Sequence, residues 1–166
     1  MRVAFADALK RDVSHKTDIP LEIFHCARKD APLARTCRPY PAAKTPRDVL
    51  LAHAIKARAA DPDVYAKAVV AEIHTGLRLG QHRFVISDWR LQREYEYVAS
   101  QFNTARLVRA RITRPGTVPT ADLTEHELDS VGFDCVITND GCISDLRDRL
   151  RPLVRPSSPV TISLNE

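Results

Sequence analysis

Apolar residues along the chain fall into short β-like runs separated by stretches with helical spacing. Phe84-Val85-Ile86 is a continuous apolar run with β-branched members, which predicts a strand buried on both faces. Tyr95, Val98, Ala99 and Phe102 follow at i, i+3, i+4 and i+7, which predicts a helix over Leu91 to Phe102 with one buried face. Asp88 and Arg90 lie between the two, at the carboxyl end of the strand, where ligands bind in open parallel sheets.

The chain begins with a short strand, Arg2 to Ala6, and Asp7 is placed to cap a turn opening Ala8 to Val13. Residues 14–43 have little periodicity and carry Pro20, Pro32, Pro39 and Pro41. They read as a long irregular excursion with a helical piece near Leu21 to Cys26, a length usual in functional or mobile loops. Thr45-Pro46-Arg47-Asp48 combines a capping box with proline at the first helical position. The helix that follows runs to about Ala60, with Leu51, Ile55 and Ala59 on its apolar face. Asp61-Pro62-Asp63 starts the next helix by the same device, and Tyr65, Val69 and Ile73 mark its buried stripe to Gly76.

Arg106 to Thr113 alternates like a strand, with Leu107, Arg109, Arg111 and Thr113 on one face and Val108, Ala110 and Ile112 on the other. Arg114-Pro115-Gly116 ends it, and Thr124 to Glu127 is a capping box for a short helix to Asp129. Asp134 to Thr138 is a further strand with Cys135 as a buried thiol. Asn139-Asp140-Gly141 turns into a helix marked by Ile143, Leu146, Leu150 and Leu153. Pro152, Pro156 and Pro159 are helix breakers, and Val160 to Leu164 alternates like a last short strand. Strands alternating with helices predict an α/β sandwich around a mostly parallel sheet.

Composition narrows the reading. At 166 residues the chain fits one domain with a real core. A net charge of +4 permits an anionic ligand, but a modest basic excess is ordinary solvated surface, and nucleic acid is a weak candidate. Cys26, Cys37, Cys135 and Cys142 include no C-x-x-C pair and no zinc spacing, so reduced cysteines in a cytosolic setting are expected. Met1 to Asp7 lacks the apolar centre of a signal peptide, and no apolar run approaches about 18 residues.

Three groups could carry chemistry. Asp88 could order Mg²⁺ or orient a nucleophile while Arg90 clamps a phosphate, or the two could simply brace the turn. Arg109, Arg111 and Arg114 set positive charge along one strand and the loop after it, either toward a phosphate or toward water. Lys44 and Arg47 flank a helix N-terminus, an anion site or a plain helix start. His15, His25, His53, His74, His82 and His126 are scattered and read as surface or packing residues.

Several stretches, in order, resemble one family: Phe5-Ala6-Asp7-Ala8-Leu9-Lys10, Lys44-Thr45-Pro46-Arg47, Asp61-Pro62-Asp63-Val64-Tyr65, Ile86-Ser87-Asp88-Trp89-Arg90 with Glu94, Arg114-Pro115-Gly116, and Val136 to Gly141. Across roughly residues 2 to 152 the chain is similar to the phage and viral deoxynucleoside monophosphate kinases of the P-loop kinase superfamily. The resemblance implies a three-layer α/β sandwich over residues 1–155, with a lid-like segment at 114–130 and a tail at 156–166. It implies phosphoryl transfer from ATP with Mg²⁺ to a deoxynucleoside monophosphate in the cytoplasm, or in a virion if the protein is viral. Asp88, Arg90 and Arg114 would be catalytic. Lys44, Arg47, Asp63, Glu94 and Arg111 would hold the monophosphate substrate, and Asn139 and Gly141 would border the adenine.

The family's first strand and its G-x-x-x-x-G-K-[ST] loop precede the Phe5-Ala6-Asp7 segment, and neither occurs in this sequence. The loop supplies the amides, the lysine and the hydroxyl that hold a triphosphate and its metal. The expectation is therefore a kinase-like protein that is catalytically degenerate, with Val160 to Leu164 or a partner chain filling the central strand position. Two competing expectations are an active kinase whose first strand and loop lie outside this sequence, and a structural or assembly protein whose basic face contacts subunits or nucleic acid.

Overall fold

The computed structural model describes residues 1–103, 105–117 and 126–154. Among these are five α-helices and two short parallel strand pairs, a mixed α/β chain. In order they are β1 (Arg2–Val3), α1 (Phe5–Thr17), two 3₁₀ helices (Leu21–His25 and Ala27–Asp30), α2 (Pro46–Ala60), α3 (Val64–Arg78), β2 (Val85–Ile86), α4 (Gln92–Gln101), β3 (Ala110–Thr113), β4 (Cys135–Thr138) and α5 (Ile143–Val154). The chain forms two compact units. One comprises Met1–Trp89 with Arg93–Val98; the other comprises Arg90–Gln92 with Ala99–Glu166.

In the first unit β1 pairs in parallel with β2, Arg2 opposite Val85 and Val3 opposite Ile86. The Met1 ammonium donates to the Arg83 carbonyl at 2.6 Å, and Val85 N–H donates to the Met1 carbonyl at 2.9 Å, which fixes the register. α3 packs close behind. A Cβ on Gly76 would stand 2.6 Å from the Phe84 ring, so only glycine allows this approach. The strand at 84–86 is not buried on both faces as its apolar run predicts: Val85 is 60% exposed and Phe84 and Ile86 are half-buried. A two-residue pairing leaves one face of β2 uncovered.

Tyr65, Val69 and Ile73 are buried on α3 as their spacing predicts, joined by Ala66, Val70 and Gly76. α2 begins with the expected capping box: Asp48 N–H donates to Thr45 Oγ1 at 3.1 Å, and Thr45 N–H donates to Asp48 Oδ2 at 2.9 Å. Its buried face is different from the predicted one. Val49, His53 and Ala54 point inward, while Leu51, Ile55 and Ala59 face solvent. α3 does not start by the same device either. No side chain caps it; Asp61 accepts from the Asp63 amide at 3.1 Å and from Lys67 at 2.7 Å.

Residues 14–43 are the larger departure. α1 continues to Thr17 and stops at Asp18, whose φ of 56° is the left-handed helix end. The following stretch then packs. Phe24 is fully buried with Val13, Cys37 and Val49, and Leu9, Ile19, Leu33, Tyr40, Ala43 and Leu50 close around them. The expected helical piece near Leu21 is the first 3₁₀ helix.

In the second unit β3 and β4 pair in parallel over four residues, from Ala110 opposite Cys135 to Thr113 opposite Thr138. The Arg109, Arg111 and Thr113 side is half-buried, and Val108, Ala110 and Ile112 are exposed. Cys135 is half-buried rather than buried. Leu146 and Leu150 of α5 are half-buried, but Ile143 and Leu153 are exposed. Pro152 lies inside α5 rather than ending it, so its position lacks the N–H that would donate to the carbonyl four residues earlier. Residues 126–130 form turns, and the expected cap at Thr124 and the strand at Val160 to Leu164 lie outside the described residues. Among the described residues no helix is long and apolar enough to cross a membrane.

Candidate functional site

α1 opens on Ala4, which is extended (φ −152°, ψ 137°) and offers no side chain to the first amides. Asp88 supplies the cap from a distance. Its Oδ1 accepts from the Phe5 amide at 3.0 Å and its Oδ2 from the Ala6 amide at 2.7 Å. A carboxylate here satisfies two orphan donors and meets the positive end of the helix dipole. Asp7, expected to cap, sits in the first turn and pairs with Arg2 at 2.8 Å and Lys10 at 3.6 Å. Asp88→Ala should therefore lower stability by about 1–2 kcal/mol, read by denaturant unfolding, and Asp88→Asn by less. An unchanged midpoint for the alanine variant would show that the cap contributes nothing.

The ends of α2, α3 and α4 gather charge. Arg93 grips Asp63 with two contacts, 2.6 Å from Nε and 3.0 Å from its second nitrogen. That hydrogen bond holds the Asp63 carboxyl below its ordinary value. Glu94 is buried, unusual for a carboxylate, with Arg58 at 3.4 Å. The Arg58 guanidinium lies 5.3 Å from the centre of the Tyr65 ring. The Tyr65 hydroxyl is buried with no hydrogen-bond partner among the described residues. Burial pushes its pKa up to about 12.

Near this cluster lies a relay that local sequence pattern does not signal. His53 on α2 is buried, with Nε2 at 2.6 Å from Asp12 of α1 and Nδ1 bonded to the Tyr40 hydroxyl. A carboxylate can only accept, so Nε2 carries a proton, and in the neutral ring Nδ1 receives the Tyr40 O–H. Burial raises the Asp12 carboxyl, but hydrogen bonds from Lys16 and His53 outweigh it and hold the group below its ordinary value. Asp12 and His53 are 41 residues apart, so no motif window contains them.

The other predicted residues divide between the units. In the first, Lys44 is exposed, and Arg47 pairs with Asp30, donating 3.2 Å from its terminal nitrogen. That ion pair ties the second 3₁₀ helix to the start of α2. In the second, Arg90 and Arg114 are exposed. Arg111 pairs with Asp129 and lies over the Phe133 ring, 5.4 Å from its centre. The Arg111 and His126 hydrogen bonds hold the Asp129 carboxyl below its ordinary value. Arg109 grips Asp134 across the start of the strand pair.

At the carboxyl end of β4, the Asn139 amide donates to the Thr113 carbonyl at 2.7 Å, while its Oδ1 is buried with no partner among the described residues. A Cβ on Gly141 would collide with the Asp145 carboxylate, which accepts from the Cys142 amide at 2.8 Å. Two predicted positions thus have a constrained setting at the end of a strand. Each unit is a parallel strand pair with flanking helices, and the class so defined is mixed α/β. The chain matches no protein-family model, no curated protein and no solved structure.

Proposed function

We propose that the chain is a deoxynucleoside monophosphate kinase-like protein that is catalytically degenerate and retains a site for a nucleoside monophosphate. The finer architecture that goes with this reading is the three-layer P-loop-kinase-like sandwich. The observation that carries it is the composition of the α2–α3–α4 end. A buried Glu94 carboxylate, two arginines and an orphaned phenol meet beside the β2–α4 turn. Glu94 and Tyr65 can hydrogen-bond the hydroxyls or base edge of a nucleoside, and arginine suits its phosphate.

ATP with Mg²⁺ does not fit the residues present. The glycines are Gly76, Gly80, Gly116, Gly132 and Gly141, and none is followed by Lys-Ser or Lys-Thr. Both oxygens of Asp88, the acid best placed in the sequence for a metal, are taken by the α1 amides. No phosphoryl-transfer step is therefore assigned to this chain.

Calorimetric titration with the four deoxynucleoside monophosphates and with ATP tests the reading. At least one monophosphate should bind, ATP with Mg²⁺ should not, and Arg93→Ala should weaken the monophosphate at least tenfold. Tight Mg²⁺-dependent ATP binding would favour the active kinase. Absence of binding by all four monophosphates would remove the nucleotide reading.

A further inference from the structure

The outward face of α2 is apolar where a solvated helix face is usually polar. Leu51 is 55% exposed and Ile55 is 73% exposed, and Ala59 continues the stripe one turn on. Asp48 and Ala52 belong to the same side by helical spacing, and both line a groove of about 380 Å³ with Pro39, Tyr40, Pro41, Ala42 and Ala43. The stripe and the groove are thus continuous along one side of α2. The groove is at the small end for a ligand site, which runs roughly 300–1,000 Å³, and it suits a single anchoring side chain.

Charge selects the occupant. Lys56 flanks the stripe on one side, and Lys44 lies just before the helix; both are exposed and neither makes an ion pair among the described residues. After Asp48 the helix contains no acid; Lys56 is exposed, and Arg58 is already paired with Glu94. The Asp48 carboxylate is engaged by the Lys44 and Thr45 amides, each at 2.9 Å. A second copy of the chain laid along this face would bring two basic helices together. A membrane surface would meet a concave groove with only two large apolar residues beside it, too little to insert.

We propose that this face of α2 is a docking surface for an acidic amphipathic helix of a partner protein. The partner's apolar residues at i, i+3, i+4 and i+7 would lie along Leu51, Ile55 and Ala59, with one large side chain in the groove. Its carboxylates would face Lys44 and Lys56. Tyr40, which lines the groove, has its hydroxyl held by the buried His53. This surface is separate from the residues assigned to nucleotide, apart from Lys44 and the neighbouring Arg58, and its test does not depend on that assignment.

The probe is a synthetic peptide of about five helical turns, with leucines at helical spacing and glutamates elsewhere. A second peptide carries lysine in place of every glutamate. Fluorescence anisotropy should show the acidic peptide binding the full chain, weakening as salt rises. Ile55→Glu should weaken it at least tenfold and Lys56→Glu several-fold, with unchanged circular dichroism because both side chains are exposed. No binding of the acidic peptide, or equal binding of the lysine peptide, overturns the proposal. Sedimentation showing a dimer that Ile55→Glu dissolves assigns the face to a second copy instead. Binding to phosphatidylserine vesicles that Ile55→Glu abolishes, without peptide binding, assigns it to a membrane.

Discussion

Replacing His53 with alanine should lower the stability of the protein by about 3 kcal/mol. The imidazole is 4% exposed and uses both nitrogens, so its removal leaves a cavity and strips two polar groups of their partner at once. For a chain of this size that loss corresponds to a melting shift of roughly 6–12 °C. Tyr40→Phe should cost less, because it deletes one hydroxyl and keeps the ring packed. A His53→Ala shift under about 2 °C would show that the relay contributes little to folding.

The same site predicts an acid dependence. The Asp12 carboxyl titrates below its ordinary value in the folded chain. Its contribution is therefore complete above the unfolded carboxylate range and disappears as pH falls through the folded value. Unfolding measured at neutral pH and through the acid range should show the gap between wild type and His53→Ala narrowing as Asp12 protonates, with the cavity part of the difference remaining.

Replacing Phe24 with alanine should cost about 3–5 kcal/mol. Phe24 is wholly buried against Val13, Cys37 and Val49, so the substitution empties the centre of a packed cluster. A mobile loop over residues 14–43 predicts the opposite, a variant within about 0.5 kcal/mol of wild type. Denaturant unfolding separates the two. Limited proteolysis adds a local readout: cleavage within 18–45 should accelerate in Phe24→Ala and stay slow in wild type.

Local chemistry made much of this chain readable. The capping box at Thr45 and Asp48 and the buried stripe of Tyr65, Val69 and Ile73 follow from short-range rules, as do the strands expected over 106–113 and 134–138, of which Ala110–Thr113 and Cys135–Thr138 form. Those rules act between residues a few positions apart, so a sequence window contains both partners. α2 shows where they stop. It carries two apolar stripes, one with Val49 and Ala54 and one with Leu51 and Ile55, and periodicity fits either. Val49 packs into the cluster of the fully buried Phe24 and Val13, while Leu51 and Ile55 are left exposed.

The site residues divide in the same way. Asp63 and Glu94 stand out only through the family resemblance, and their partners Arg93 and Arg58 are visible only in three dimensions. Asp88 was legible as a residue at a strand's end but not as the cap of a helix more than 80 residues earlier in the chain. His53 gave no sequence signal, because Asp12 and Tyr40 reach it from separate elements. The sequence by itself determined the type and approximate place of most helices and strands, since prolines and periodicity act locally. Only the tertiary structure decided which apolar stripe is buried and which acids meet which bases, because those outcomes depend on distant segments arriving at the same place.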